Sequence, residues 1–131
     1  MMYEATTRSI TVKVSPDFLE DDSAPLRDYY FWAYTVEIHN GGRERVQLLA
    51  RHWRITDAMG RGQEVRGEGV VGEQPTLDPD ESFRYTSGVP LRTPSGIMHG
   101  WYTMETEDGE RFEIEIPAFS LDSPNTARRL N

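Results

Sequence analysis

The sequence predicts an all-β sandwich, and three features predict it. Apolar residues recur with a period of two in about seven segments, turn formers punctuate the intervals, and no stretch sustains the period of roughly 3.6 residues that marks an amphipathic helix. Seven short strands in 131 residues fit a single domain, 1–131, in which two sheets share one core, of the immunoglobulin or fibronectin type III kind. A small closed barrel answers the same pattern.

The first strand is read at "SITVKV", where Ile10, Val12 and Val14 share a face. An acidic irregular loop, "PDFLEDDSAPLRD", follows. In "YYFWAYTVEIHN", Tyr30, Trp32, Tyr34, Val36 and Ile38 share a second face, and the turn signal "NGG" ends the run. "RVQLLARHWRIT" carries Val46 and Leu48 on one parity but Leu49, Trp53 and Ile55 on the other, which requires a bulge or twist between them. "DAMGRGQ" turns the chain into "EVRG", and further strands are read at "SFRYTSG" with Phe83 and Tyr85, "MHGWYTMET" with Met98, Tyr102 and Met104, and "RFEIEIPAF" with Phe112, Ile114 and Ile116. The last two meet at "EDGE", where Asp108-Gly109 suits a tight hairpin turn. "LDSPNTARRLN" reads as irregular, and its "TARRLN" as a solvated tail.

Composition excludes several function classes. A formal net charge of −8 repels phosphate backbones, and the arginines are interleaved with glycines and carboxylates rather than gathered in a stripe, so no nucleic-acid partner is expected. No apolar run approaches the roughly 20 residues that span a bilayer, and the N-terminus lacks a basic region followed by an apolar one, so no membrane partner is expected either. With no cysteine, neither a disulfide framework nor a thiolate nucleophile exists, and a cytoplasmic location fits.

"GEGVVGEQP" holds Gly67, Gly69 and Gly72 in the spacing G-x-G-x-x-G, with Arg66 beside them, and is the candidate ligand loop. In a dinucleotide-binding unit such glycines open a helix whose positive end meets the pyrophosphate. Here Pro75 and Pro79 break any helix, and Glu64, Glu68 and Glu73 surround the loop with like charge, although Arg61, Arg66 and Arg84 offset part of it. The glycines therefore read first as backbone shapers, with Gly69 or Gly72 at positive φ. No metal site or cofactor is expected: Glu20-Asp21-Asp22 and Asp78-Asp80-Glu81 lack the spacing of a calcium loop, and His39, His52 and His99 lie in three different strands or strand ends. Catalysis is not expected, since Ser87 and Ser95 sit beside glycines without forming G-x-S-x-G and read as turn serines.

The aromatic run "DYYFWAYTV" is the candidate interaction surface. Tyr30, Trp32 and Tyr34 fill the core on one parity, which leaves Tyr29 and Phe31 on the other partly uncovered, and uncovered aromatics mark partner sites. The competing reading covers both faces, or broadens the core around Trp53 and Trp101.

The stretch "VQLLARHWRITDAMGRGQEVRGEGVVGEQPTLDPDESFRYTSGVPLRTPSGIMHGWYTM" resembles the signature of the ApaG family, and the flanking "YTVEIHN" and "FEIEIPAFSL" resemble its remaining strands. The resemblance implies a fibronectin type III-like sandwich in a bacterial cytoplasm, a phenotypic association with cobalt resistance and magnesium efflux, and a role in binding other proteins, as in the eukaryotic F-box and polymerase-delta-interacting proteins that carry similar domains. The combined expectation is a non-catalytic protein-interaction module, monomer or homodimer, linked to Co²⁺ and Mg²⁺ homeostasis. The alternative is a small-ligand sensor that binds a phosphorylated metabolite or a divalent metal through the glycine-rich loop.

Overall fold

The structure, a computed structural model, describes residues 1–124. Nine strands follow one another: β1 (Tyr3–Thr7), β2 (Ile10–Phe18), β3 (Tyr30–Asn40), β4 (Val46–Asp57), β5 (Gly62–Glu68), β6 (Thr76–Leu77), β7 (Ser82–Leu91), β8 (Ser95–Thr106) and β9 (Arg111–Asp122). Two single-turn 3-10 helices, Glu20–Asp22 and Pro25–Arg27, occupy the acidic loop. The first sheet runs β1-β2-β3-β7 and the second β5-β4-β8-β9, with β6 paired to β4, and every pairing is antiparallel. Two sheets sharing one core make this a sandwich rather than a closed barrel.

The period of two is the reason these segments pair as they do. Along β3 burial alternates without a break, so Tyr30, Trp32, Tyr34, Val36, Ile38 and Asn40 all face inward. They meet Leu48, Trp53, Tyr102, Met104, Ile114 and Phe119 from the second sheet. Trp53 and Phe119 stand edge to face, 6.0 Å between ring centroids, in the offset arrangement aromatic rings prefer. Buried Asn40 binds the Glu44 and Leu77 carbonyls through Nδ2, at 2.9 and 3.0 Å, and its Oδ1 accepts from the Gly42 amide. A polar side chain is tolerated there because all of its groups are satisfied.

The bulge read in β4 lies between Leu48 and Ala50, where the register against β8 shifts. A second irregularity separates Met98 and Gly100 in their pairing with β9, opposite Pro117, and it returns Phe119 to the core face after Ile116. Gly109 takes φ +85° at the β8–β9 turn, as the Asp108-Gly109 signal predicts. Trp101 differs from the expectation that placed it with Trp53 in the core. It points outward, because the parity that turns Met98, Tyr102 and Met104 inward turns Trp101 away. The irregular reading of 121–131 is corrected at its start, since Leu121 and Asp122 belong to β9, while "TARRLN" lies outside the described residues.

The strand edges position the site. On one side of the sandwich β1 and β2 pack against β9. On the other, β7 pairs as a strand only with β3 and β5 only with β4, and no hydrogen bond or ion pair joins β7 to β5 among the described residues. A cleft runs between those two free edges.

Candidate functional site

The outer end of this cleft is a cavity of about 570 Å³ between the β4–β5 hairpin and the end of β7. Ile55, Pro90 and Leu91 form its apolar wall, and Tyr29, Arg61 and Arg92 its rim. Residues 24–29 make a tight loop closed by two reciprocal bonds, Ala24 N–H to the Tyr29 carbonyl at 2.8 Å and Tyr29 N–H to the Ala24 carbonyl at 3.2 Å. Asp28 turns it in the left-handed region at φ 54°. That loop holds Tyr29 at 41% exposure, stacked nearly parallel on Phe31 with centroids 6.4 Å apart. The tip of the Phe31 ring lies over Gly88 of β7, where a Cβ would fall 2.4 Å from Cζ. The two aromatics of the candidate surface therefore form one ledge beside the cavity, Phe31 half-buried and Tyr29 open.

At the rim Asp57 is the structural carboxylate. Partial burial opposes its ionisation, but hydrogen bonds from the Arg61 amide and guanidinium and from the Met59 amide outweigh that and hold its carboxyl below the usual range. Arg61 is thereby tied down, with Nε 2.7 Å from Asp57 Oδ2. Arg27 and Arg92, which line an adjoining 380 Å³ recess together with Asp28, Tyr29 and Arg61, make no ion pair among the described residues.

The glycine-rich loop borders the inner end of the cleft, where Tyr34, Arg51, Ser87 and Gly72 line a 310 Å³ pocket. Each glycine has a separate geometric reason. Gly67 leaves room for the Arg51 guanidinium, which a Cβ would meet at 2.8 Å, and Arg51 Nη1 donates from there to the Glu68 and Gly69 carbonyls at 3.0 and 2.9 Å. Gly69 sits at φ +63°, and its absent Cβ would lie 2.3 Å from the Glu73 carbonyl oxygen. Gly72 at φ +81° follows Val71 at φ 43° in a two-residue hairpin turn closed by reciprocal Val70–Glu73 bonds of 2.8 and 2.9 Å. The amides of Gly69, Val70 and Glu73 are spent on carbonyls of the chain, and no helix follows the loop. Arg66 points to the outer face instead, its Nη2 3.2 Å from Glu64 Oε2.

Behind this pocket Tyr85 of β7 and Tyr102 of β8 share a hydrogen bond across the interior, and Ser87 bonds Tyr34. Burial pushes all three phenols above the usual tyrosine range. Ser87 is accordingly a strand residue with an interior partner rather than a turn serine, and Ser95 opens β8.

Two clusters escaped the sequence reading. On the outer face of the second sheet the Trp101 ring lies 5.3 Å from His52 and 5.5 Å from His99, with the Arg54 guanidinium 5.3 Å above it. Glu64 anchors the edge of this platform, held below the usual carboxylate range first by the hydrogen bond from His52 and then by Arg66. Outward parity was the available signal for Trp101. The second cluster joins His39, whose Nδ1 is 2.7 Å from Ser82 Oγ and whose Nε2 is 3.9 Å from Asp80 Oδ1. No motif predicts it, because the three residues come together only through β3–β7 pairing. Asp80 is 93% exposed, and Ser82 is not among the residues that line the cavities described above. Among the described residues no three His, Asp or Glu side chains converge as metal donors. No described helix is long and apolar enough to cross a membrane.

The chain is similar to known proteins along its whole length. The family model described as the ApaG domain matches residues 20–106. Protein ApaG of Parvibaculum lavamentivorans is 62% identical over 130 residues, 99% of this chain and 100% of that protein. Protein ApaG of Methylorubrum populi is 64% identical over 127 residues, 97% of this chain and 98% of that protein. A crystal structure of a Bordetella pertussis protein described as ApaA superimposes with a TM-score of 0.86 at 50% identity, covering 88% of this chain and 94% of that one.

Proposed function

The chain belongs to the ApaG domain family, and from that premise we propose that it is a non-catalytic protein-interaction module whose partner seats on the Tyr29–Phe31 ledge of the open cleft. The observation that carries this reading is the exposure of Tyr29, 41% open on a stacked aromatic base beside a cavity lined by Ile55, Pro90 and Leu91. A ring of this kind supplies large contact area at little cost in side-chain entropy, which is why tyrosine dominates binding surfaces. The link to Co²⁺ and Mg²⁺ homeostasis is then indirect and runs through the partner.

The test compares the proteins retained from an extract of the source organism by immobilised wild type and by Tyr29→Ala, with equal melting temperatures as the control for folding. A protein held by the first and lost from the second supports the proposal. Identical retention overturns it.

A second reading, a small-ligand sensor, is favoured by the 310 Å³ pocket beneath the glycine loop, where Arg51 and Ser87 offer polar groups to a phosphorylated metabolite. The amides already spent within that loop weigh against it. A thermal-shift panel of nucleotides, pyrophosphate, Mg²⁺ and Co²⁺ separates the two, because a ligand at 100 times its Kd would stabilise by about 2.7 kcal/mol.

A further inference from the structure

The charge at the cleft mouth runs against that of the molecule. Carboxylates outnumber cations 22 to 14 in the whole chain, yet the recess beside Tyr29 is lined by three arginines, Arg27, Arg61 and Arg92, and one carboxylate, Asp28. Arg61 is neutralised by Asp57 at 2.7 Å. Arg27 and Arg92 remain, both exposed and neither in an ion pair among the described residues.

The same two border loops carry apolar surface. Leu26 is 103% exposed and Tyr29 41% in the 24–29 loop, and Met59 is 72% exposed in the β4–β5 turn. These are three of the seven large apolar side chains that the described surface exposes. Between the loops the cavity is lined by exposed Pro90 and by the edges of Ile55 and Leu91, which are otherwise buried in the core.

Building on the interaction-module reading, we propose that the cleft mouth binds an extended acidic peptide segment of a partner protein, with one apolar side chain seated against the Ile55–Leu91 wall and flanking carboxylates on Arg27 and Arg92. The chemistry follows from the lining. A guanidinium presents a planar fork of donors that matches a carboxylate, and a neighbouring Arg61 already committed to Asp57 leaves the other two for the ligand. The chain's net negative charge opposes an acidic segment overall, and the two unpaired arginines at the mouth offset that locally, so charge then sets register as well as selectivity. The 24–29 loop is closed by its own backbone bonds and needs little ordering on binding.

The experiment is selection of a displayed random decapeptide library on the immobilised full chain, beside the double variant Arg27→Glu/Arg92→Glu. Peptides retained by the wild type should be enriched in Asp and Glu about threefold over the input, around one apolar residue, and a fluorescent copy of the best should lose at least about tenfold in affinity for the double variant. Raising the salt from 50 to 300 mM should weaken it in the same direction. Enrichment of neutral or basic peptides overturns the proposed chemistry while leaving an interaction module standing. An acidic peptide that binds the double variant equally well overturns the site. No enrichment at all overturns the peptide as occupant, and the Tyr29→Ala extract comparison then judges the module by itself.

Discussion

The two sides of the sandwich are built from the same kind of strand and finished differently. On the β1/β9 side every available device closes the gap. The Glu115 amide donates to Thr7 Oγ1 at 3.1 Å, Arg8 forks onto both oxygens of Glu110 and lies 4.1 Å over the Phe112 ring, Tyr3 packs on Phe119, and Trp32 Nε1 donates to the Asp122 carbonyl at 2.8 Å. On the β7/β5 side no hydrogen bond or ion pair bridges the edges among the described residues, and arginines and exposed apolar side chains gather at the opening. Edges left open invite unwanted pairing, and here Pro90 and the charged, nearly fully exposed β5 blunt that risk. On the proposed reading, one side carries stability and the other recognition.

The largest expected effect lies on the closed side. Phe119 is 2% exposed and contacts the rings of Tyr3, Tyr34 and Trp53, so Phe119→Ala removes a side chain shared by both sheets. Urea unfolding should show a loss of about 3–5 kcal/mol. A loss below that of any open-side substitution would break the division of labour.

Next come the two turn glycines at the inner end of the open side, which differ in kind. Gly69→Ala meets both a positive φ and a backbone oxygen at 2.3 Å, and about 2–3 kcal/mol of destabilisation is expected. Gly72→Ala meets only the positive φ, with nothing within 4 Å of its Cβ, and about 1 kcal/mol should be lost. Melting the two variants side by side tests this order. Equal melting temperatures would show that the hairpin relaxes and that the close approach at Gly69 is not costly.

A third effect sharpens the comparison through pH. Tyr34, Tyr85 and Tyr102 hold the interior behind the open cleft, and burial raises their folded values above the ordinary 10.0. Above pH 10 the unfolded chain releases phenolic protons that the folded chain retains, so the unfolded state binds fewer protons and stability falls as pH rises. Below pH 10 their contribution is complete. The slope for each fully shifted tyrosine is about 1.4 kcal/mol per pH unit. Tyr85→Phe should be somewhat less stable at pH 8, having lost the Tyr102 bond, yet decline less steeply between pH 10 and 11. Parallel declines in the two proteins would mean that the Tyr85 phenol is not raised by burial.

What was legible in the sequence follows the same division. Alternation in β2, β3, β8 and β9 and the parity switch in β4 announced the core faces and the bulge, because burial of one sheet face imposes a period of two on residue choice. β1 escaped, because its hairpin with β2 turns through Arg8 and Ser9 at φ 49° and 67° without a glycine or asparagine to signal it. β6 is only two residues long, too short for any period. Tyr29 and Phe31 were legible by parity as aromatics left over from the core, but their meeting with Arg61 and Arg92 was not. Those arginines are separated from the ledge by some thirty to sixty positions and are joined to it only by strand order. The His39–Ser82–Asp80 cluster was hidden for the same reason.

The smallest expected change in stability is the most informative about the open side. Tyr29 is 41% exposed, packs on one ring only, and contributes to the fold through its backbone bonds with Ala24, which alanine preserves. Tyr29→Ala should therefore cost no more than about 0.5 kcal/mol, the range of surface substitutions away from caps and cores. If the ledge is a recognition surface, that same substitution should weaken partner binding by more than tenfold, since truncating a central aromatic anchor commonly costs 2 kcal/mol or more. Stability and binding then respond in opposite proportion to Phe119→Ala and Tyr29→Ala, and measuring both quantities on both variants tests the division directly. Should Tyr29→Ala unfold the chain as Phe119→Ala does, the ring would be part of the structure that closes the cleft, and the recognition surface would have to be sought on the Trp101 platform of the opposite face.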